Sequence, residues 1–157
     1  MSDWAPLRQH LHKHPELSGE EVRTANYILQ QFSLFNPDRI YQQVGGDGLA
    51  FCFDSGETGP NVLFRSELDA LPIQEVNTFS HRSIHQGVSH KCGHDGHMAI
   101  LMALAEQVVA HPPSKGSVTF LFQPAEESGE GAIAVIDDKQ FKAFRPDYCF
   151  ALSLIHI

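Results

Sequence analysis

Cysteine is scarce. Its three copies, Cys52, Cys92 and Cys149, are odd in number and widely spaced. That pattern excludes a disulfide framework and fits a reducing compartment. Long apolar runs are missing too: none approaches the roughly 20 residues that a membrane span needs. Met1-Ser2-Asp3-Trp4 lacks the charged-then-apolar opening of a secretion signal. The expectation is a soluble, cytoplasmic protein with no membrane partner. Basic residues are few, 11 Lys plus Arg against 19 Asp plus Glu, for a formal net charge of −8. An acidic chain holds phosphate backbones poorly, so nucleic acid is not expected as a partner. Gly45-Gly46-Asp47-Gly48 has no lysine of the phosphate-cradling kind and no strand-to-helix context, so it reads as a turn.

What is present in excess is histidine, ten residues of 157. Hydrophobic residues make up 42% and charged residues 19%, a globular composition with chain enough for one core. The spacing predicts a first helix over 4–13, stopped by Pro15, because the residue before a proline is pushed out of the helical region. Ser18 and Glu21 read as a capping box for a second helix over 19–33. Ile40 to Val44 and Leu49 to Phe53 flank the glycine turn as a hairpin. Asn61 to Phe64, Val118 to Phe122 and Tyr148 to Leu152 read as further strands, and 74–91 as loop. From Asp95 a long helix carries Met98, Leu101, Leu104, Ala105 and Val108 in one stripe, widened by Ile100, Ala103 and Val109. Residues 131–136 read as a short helix. Strands alternating with helices predict an α/β fold, a mostly parallel sheet flanked by helices.

Chemistry concentrates in three clusters. His90-Lys91-Cys92-Gly93-His94-Asp95-Gly96-His97 is the densest. Thiolate and imidazole suit zinc and similar divalent ions. In extended chain Cys92 and His94 would point the same way and grip one ion or a close pair. Asp95 would cap the following helix or hold an imidazole in its ligating tautomer. Gln123-Pro124-Ala125-Glu126-Glu127 follows a strand. Neighbouring carboxylates in extended chain face opposite ways, so one can ligate a metal while the other moves protons; a solvated acidic turn is the plainer alternative. Arg65 to Asp69 also follows a strand, and an ion-pair network is as good a reading of Arg65, Glu67 and Asp69 as a direct role. In open α/β sheets ligands bind beyond the carboxyl ends of strands. His10, His12 and His14 read as surface or loop histidines, and Cys52 and Cys149 as core residues.

Four segments together, His12 to Ser18, Arg65 to Pro72, His90 to His97 and Phe122 to Glu127, resemble the amidohydrolases of the aminoacylase and carboxypeptidase group, in the branch of hippurate and auxin-conjugate hydrolases. The resemblance runs in family order over about residues 4–152. It implies the incomplete catalytic domain of a di-metal hydrolase that cleaves the amide bond of N-acyl amino acids. By motif position Cys92, His94 and Glu127 would be metal ligands, and Glu126 the general base. Two divalent ions are implied, Mn or Zn first, with Co or Ni also suited. The full-length form would be a homo-oligomer, with a lid or dimerisation domain absent from this chain. Two departures stand out: Glu67 replaces the usual Asp, and Ser153 follows Phe150-Ala151-Leu152 where the family shows a histidine. Residues 1–152 are therefore expected to be the N-terminal part of the catalytic domain, 153–157 a tail outside the family pattern, and the chain alone weakly active or inactive. A non-enzymatic metal-binding or interaction domain, and a purely structural α/β domain, are the alternatives.

Overall fold

The computed structural model describes residues 2–153. Helix α1 spans Ala5–Lys13 and α2 Val22–Phe32, with a 3-10 turn at Ser33–Phe35. Strands β1 (Arg39–Val44), β2 (Gly48–Asp54) and β3 (Asn61–Glu67) follow. After a long irregular segment come α3 (His94–Ala110), β4 (Ser117–Gln123), α4 (Gly131–Asp137), a second 3-10 turn at Lys139–Ala143 and β5 (Tyr148–Ala151).

The sheet order is β1-β2-β4-β3-β5. β3 runs parallel to both β4 and β5, as expected. β1 with β2 and β2 with β4 are antiparallel, so β2 alone runs against the other four strands in a mixed but mostly parallel sheet. The cause is local. A tight glycine turn can only reverse the chain, whereas parallel neighbours need a long crossover. Here β3 reaches β4 through α3.

Side chains alternate across the sheet with period two, and each face has its own core. Leu49, Phe51, Phe53, Phe120 and Phe122 join α1, α2 and α3 on one face. Ala50, Leu63 and Leu121 join Val135 of α4 and Phe144 on the other. Cys52 is buried, but Cys149 is exposed on β5, against the expectation of a core residue. The buried side of α3 carries Met98, Leu101, Met102 and Ala105, while Ile100 and Val109 face outward and do not widen the stripe.

The capping box does not form. Helix α2 begins at Val22, and the Ser18 hydroxyl donates to Asp69 instead. The first turn of α2 is held by Glu16, whose carboxylate accepts from Thr24 N at 2.7 Å and Thr24 Oγ1 at 2.9 Å. Glu21 is fully buried and accepts the Ala125 N–H at 2.7 Å. The tail expectation falls on residues 154–157, which lie outside the described residues. Ser153 is exposed.

Candidate active site

The parallel register pairs Glu67 with Gln123, so the segments after β3 and β4 leave the sheet side by side. Leu68 N donates to Gln123 O at 2.9 Å and continues the ladder. Asp69 and Glu126-Glu127 thus emerge on one edge. The third segment arrives through Gly93, which precedes α3 with φ 92°. That left-handed value favours glycine. It turns the chain between Cys92 and His94, so the pair meets through a bend and not along extended chain.

His94 is oriented by backbone. Its Nδ1 lies 2.8 Å from the Asp69 carbonyl oxygen. A carbonyl only accepts, so Nδ1 carries the proton and Nε2 presents a lone pair. Nε2 faces Glu126 Oε2 at 3.6 Å, Glu127 Oε1 at 3.7 Å and Glu67 Oε2 at 4.0 Å. Donor atoms of Cys92, His94 and Glu127 all lie within 4.8 Å of one another. Two bonds of about 2.0–2.3 Å to one ion at a tetrahedral angle place donors roughly 3.3–3.8 Å apart, and the 3.7 Å between His94 Nε2 and Glu127 Oε1 falls in that range. Glu127 Oε1 is buried and has no hydrogen-bond partner among the described residues, an arrangement costly for a carboxylate unless a cation faces it.

The electrostatics agree. The Cys92 thiol is pushed up to about 11, first by partial burial, then by the neighbouring Glu127 carboxylate and the charges of Glu126 and Glu67. Burial would lower the His94 pKa, but Asp69 and Glu67 outweigh it and the net shift is upward. A cluster that repels a further negative charge and favours a positive one suits a divalent cation.

Asp69 organises the cluster. It is fully buried. Oδ2 accepts from Ser18 Oγ at 2.7 Å and from Glu127 N at 2.9 Å, while its carbonyl fixes His94. Burial would raise its pKa, yet the His94 ring, with Nδ1 3.3 Å from Oδ1, and then the Glu127 N–H and Ser18 hydroxyl bring it below the usual carboxylate range. Asp69→Asn should weaken zinc binding by about 10- to 100-fold, the effect typical of groups that hold ligands in place. Competition with a chromophoric chelator would measure it, and unchanged affinity would count against the assigned role.

Several expectations need correction. Glu126 and Glu127 do not face opposite ways: they sit in a turn after Ala125, whose φ is 49°, and both carboxylates reach toward His94 Nε2. Asp95 does not cap α3. It accepts from His12 Nδ1 at 3.0 Å and Arg8 Nε at 3.1 Å, so the imidazole it holds is that of His12. His12 is buried between Asp95 and Glu75, whose Oε1 lies 3.1 Å from Nε2, and is not a surface residue. Glu75 also takes Lys91 Nζ at 2.7 Å, a contact within the irregular segment that the His12–Glu75 pair ties to α1.

The hydrogen bond to Asp95 raises the His12 pKa, burial opposes it, and Glu75 adds to the rise. Besides these carboxylates, Arg8 and His90 lie near this pair. A raised folded value contributes stability that is fully present below about 6.5, the unfolded value. It fades as pH rises through the folded value. The stability lost in His12→Asn should therefore be larger at pH 6 than at pH 9 in urea unfolding; equal losses would refute a protonated His12.

Two further residues join the edge without having been singled out as ligands. Glu67 accepts from His97 Nδ1 at 2.7 Å, and Glu67, His94 and His97 form a second donor group within 4.8 Å. Both groups use the single lone pair of His94, so His94 serves one ion at a time. The signal for His97 was its position three residues after His94, on the same helix face. Arg65 pairs with Glu67 at 2.9 Å and donates to Gln123 Oε1 at 2.8 Å, with Glu126 Oε1 at 3.9 Å. Of its two readings, the ion-pair network is the one formed.

Fold and site together define an α/β domain with a thiol, an imidazole and clustered carboxylates at the carboxyl edge of its parallel strands. The family model of peptidase family M20/M25/M40 matches residues 63–156. The chain belongs to that family. It is 34% identical over 148 residues to the hippurate hydrolase of Campylobacter jejuni, covering 94% of this chain and 38% of that protein. Identity to the N-acetyldiaminopimelate deacetylase of Bacillus subtilis is also 34% over 148 residues, with 94% and 39% covered. Among solved structures, the YXEP protein of Bacillus subtilis, a dinuclear metal binding peptidase of the M20 family, superposes with a TM-score of 0.88 at 32% identity, covering 97% of this chain and 42% of that one. The chain thus spans about two-fifths of the length of these relatives. Among the described residues no helix is long and apolar enough to cross a membrane.

Proposed function

We propose that residues 1–152 form the N-terminal part of the catalytic domain of a metal-dependent amidohydrolase that cleaves N-acyl amino acids, of hippurate or related aminoacyl-conjugate type. The observation that carries the reading is the meeting of Cys92, His94 and Glu127 donors within 4.8 Å, with the Glu126 carboxylate 3.6 Å from His94 Nε2. Relatives named for amide hydrolysis and deacetylation support it. Cys92, His94 and Glu127 would hold a divalent ion, Mn or Zn, in a site that holds two in the complete enzyme. When bound, such an ion polarises the scissile carbonyl and makes water more acidic.

The residues of the chain divide the remaining work. Asp69 holds His94 in one tautomer and positions the Glu127 backbone. Glu126 is the most exposed carboxylate of the cluster, at 37%. It takes a proton from the attacking water as the new C–O bond forms, and returns it to the leaving amine nitrogen as the C–N bond then breaks. Ser153 stands where the family pattern has histidine, which favours a second reading, metal binding with little or no turnover.

One experiment separates the two. The purified chain, supplied with Mn²⁺ or Zn²⁺, is assayed against a panel of N-acyl amino acids, with Glu126→Gln alongside. The hydrolase reading expects weak hydrolysis that falls by about 100- to 10,000-fold in the variant while ion binding persists. Ion binding with no hydrolysis supports the second reading. Equal rates in both proteins, or no ion binding, overturn the first.

A further inference from the structure

We propose that the cleft walled by Leu17, Ala70, Leu71 and Pro72, beside Glu127, receives the uncharged acyl group of an N-acyl substrate and excludes its carboxylate end. This rests on the hydrolase reading above and gives the bound amide a direction.

The cleft has a volume of about 370 Å³, and Ser18, Glu127 and Ser128 complete its lining. That is within the range of small-molecule sites, about 300–1,000 Å³. Most of its wall is hydrocarbon, which favours alkyl or phenyl groups over charged ones. Among the described residues its lining contains no lysine, arginine or histidine, and the one charge on it is the Glu127 carboxylate, which also reaches toward His94 Nε2 at 3.7 Å. With the Glu127 charge taken up by the ion it would hold, an amino-acid carboxylate placed here would lose its water against hydrocarbon, with no cationic side chain on the described wall to pair with it. Of the two ends of an N-acyl amino acid lying across the donor cluster, only the acyl end fits.

The wall is firmly built. Leu17 and Ala70 are bridged in parallel, and Ala70 N donates to Glu16 O at 2.8 Å. Leu71 and Ser89 exchange main-chain hydrogen bonds, both at 3.1 Å. These bonds anchor the wall from two sides, so binding an acyl group orders little that is not already ordered. Asp69 lies between wall and donors, its Oδ2 taking the Ser18 hydroxyl on one side and the Glu127 N–H on the other.

The test uses the 157-residue chain with labelled leucine and alanine methyls, followed by NMR with and without saturating zinc. One ligand series lengthens the acyl group: N-acetyl-, N-butanoyl-, N-hexanoyl- and N-benzoylglycine. A second keeps acetyl and enlarges the amino acid: N-acetylleucine and N-acetylphenylalanine. The Leu17, Ala70 and Leu71 methyls should shift with acyl length, and affinity should rise about fourfold per methylene. The second series should move them no more than N-acetylglycine does. Pro72→Asp, at an exposed position, should flatten the dependence on acyl length. Methyls that stay still, or that follow the amino-acid series equally, overturn the proposal. Failure of zinc to bind would sink the hydrolase reading instead, and the acyl series on the zinc-free chain would still decide the cleft.

Discussion

Alanine at position 92 is expected to weaken zinc binding by more than about 100-fold. Removing a group that merely orients a ligand costs about 10- to 100-fold, and Cys92 is argued to be a ligand itself. The variant leaves His94 and Glu127 to hold the ion, with the Glu127 oxygen still buried. The proton count supplies a second, independent signature. In the ion-free protein the thiol is held up at about 11, so it is protonated throughout the neutral range. A zinc ion must expel that proton, and wild-type affinity should therefore fall at least tenfold for each unit that the pH is lowered from 8 to 6. In Cys92→Ala one proton leaves the balance and the slope drops by one. Chelator competition at several pH values reads both effects. Wild-type affinity in the variant, or an unaltered slope, would refute thiolate ligation.

Phe32→Ala should lower stability by about 3–5 kcal/mol, the usual cost of emptying a buried aromatic site. Phe32 is completely buried on α2. Its ring stacks on Phe51 at 4.2 Å between centroids and meets Phe35 and Phe120 at 5.3 Å and Phe122 at 5.6 Å. These rings belong to α2, its 3-10 extension, β2 and β4, so no single neighbour can move in to fill the void. An ordinary domain has only about 5–15 kcal/mol in total, and the variant would unfold at much lower urea. A loss below about 1.5 kcal/mol would mean that the aromatic cluster does not carry the core.

The elements were legible because their signals are local. Two β-rich runs around the glycine turn specify the β1–β2 hairpin, and His111-Pro112-Pro113 ends α3 where a proline pair must. The donor set was legible for a different reason: thiol, imidazole and carboxylate in those motifs have few other uses together. What stayed hidden depends on distant partners. Ser18 followed by Glu21 satisfies the local rule for a cap, but a buried Asp69 competes for the hydroxyl, and the Ala125 N–H competes for the carboxylate. His12 reads as exposed on its helix until the irregular 74–91 segment folds over it and brings Glu75. Pairing between β2 and β4 joins segments more than sixty residues apart, and no nearby pattern announces its direction.

The turn after β4 has one more consequence. A Cβ built at Gly131 would collide with the Pro124 carbonyl oxygen, and Gly131 N donates to Ala125 O at 3.0 Å. Two stretches of main chain are thus in direct contact beneath Glu126 and Glu127. Excluded volume between backbones does not relax as packed side chains do. Mutational drift can therefore reshape the walls around the carboxylates, and with them the choice of substrate, while the distance between the two acids is inherited unchanged.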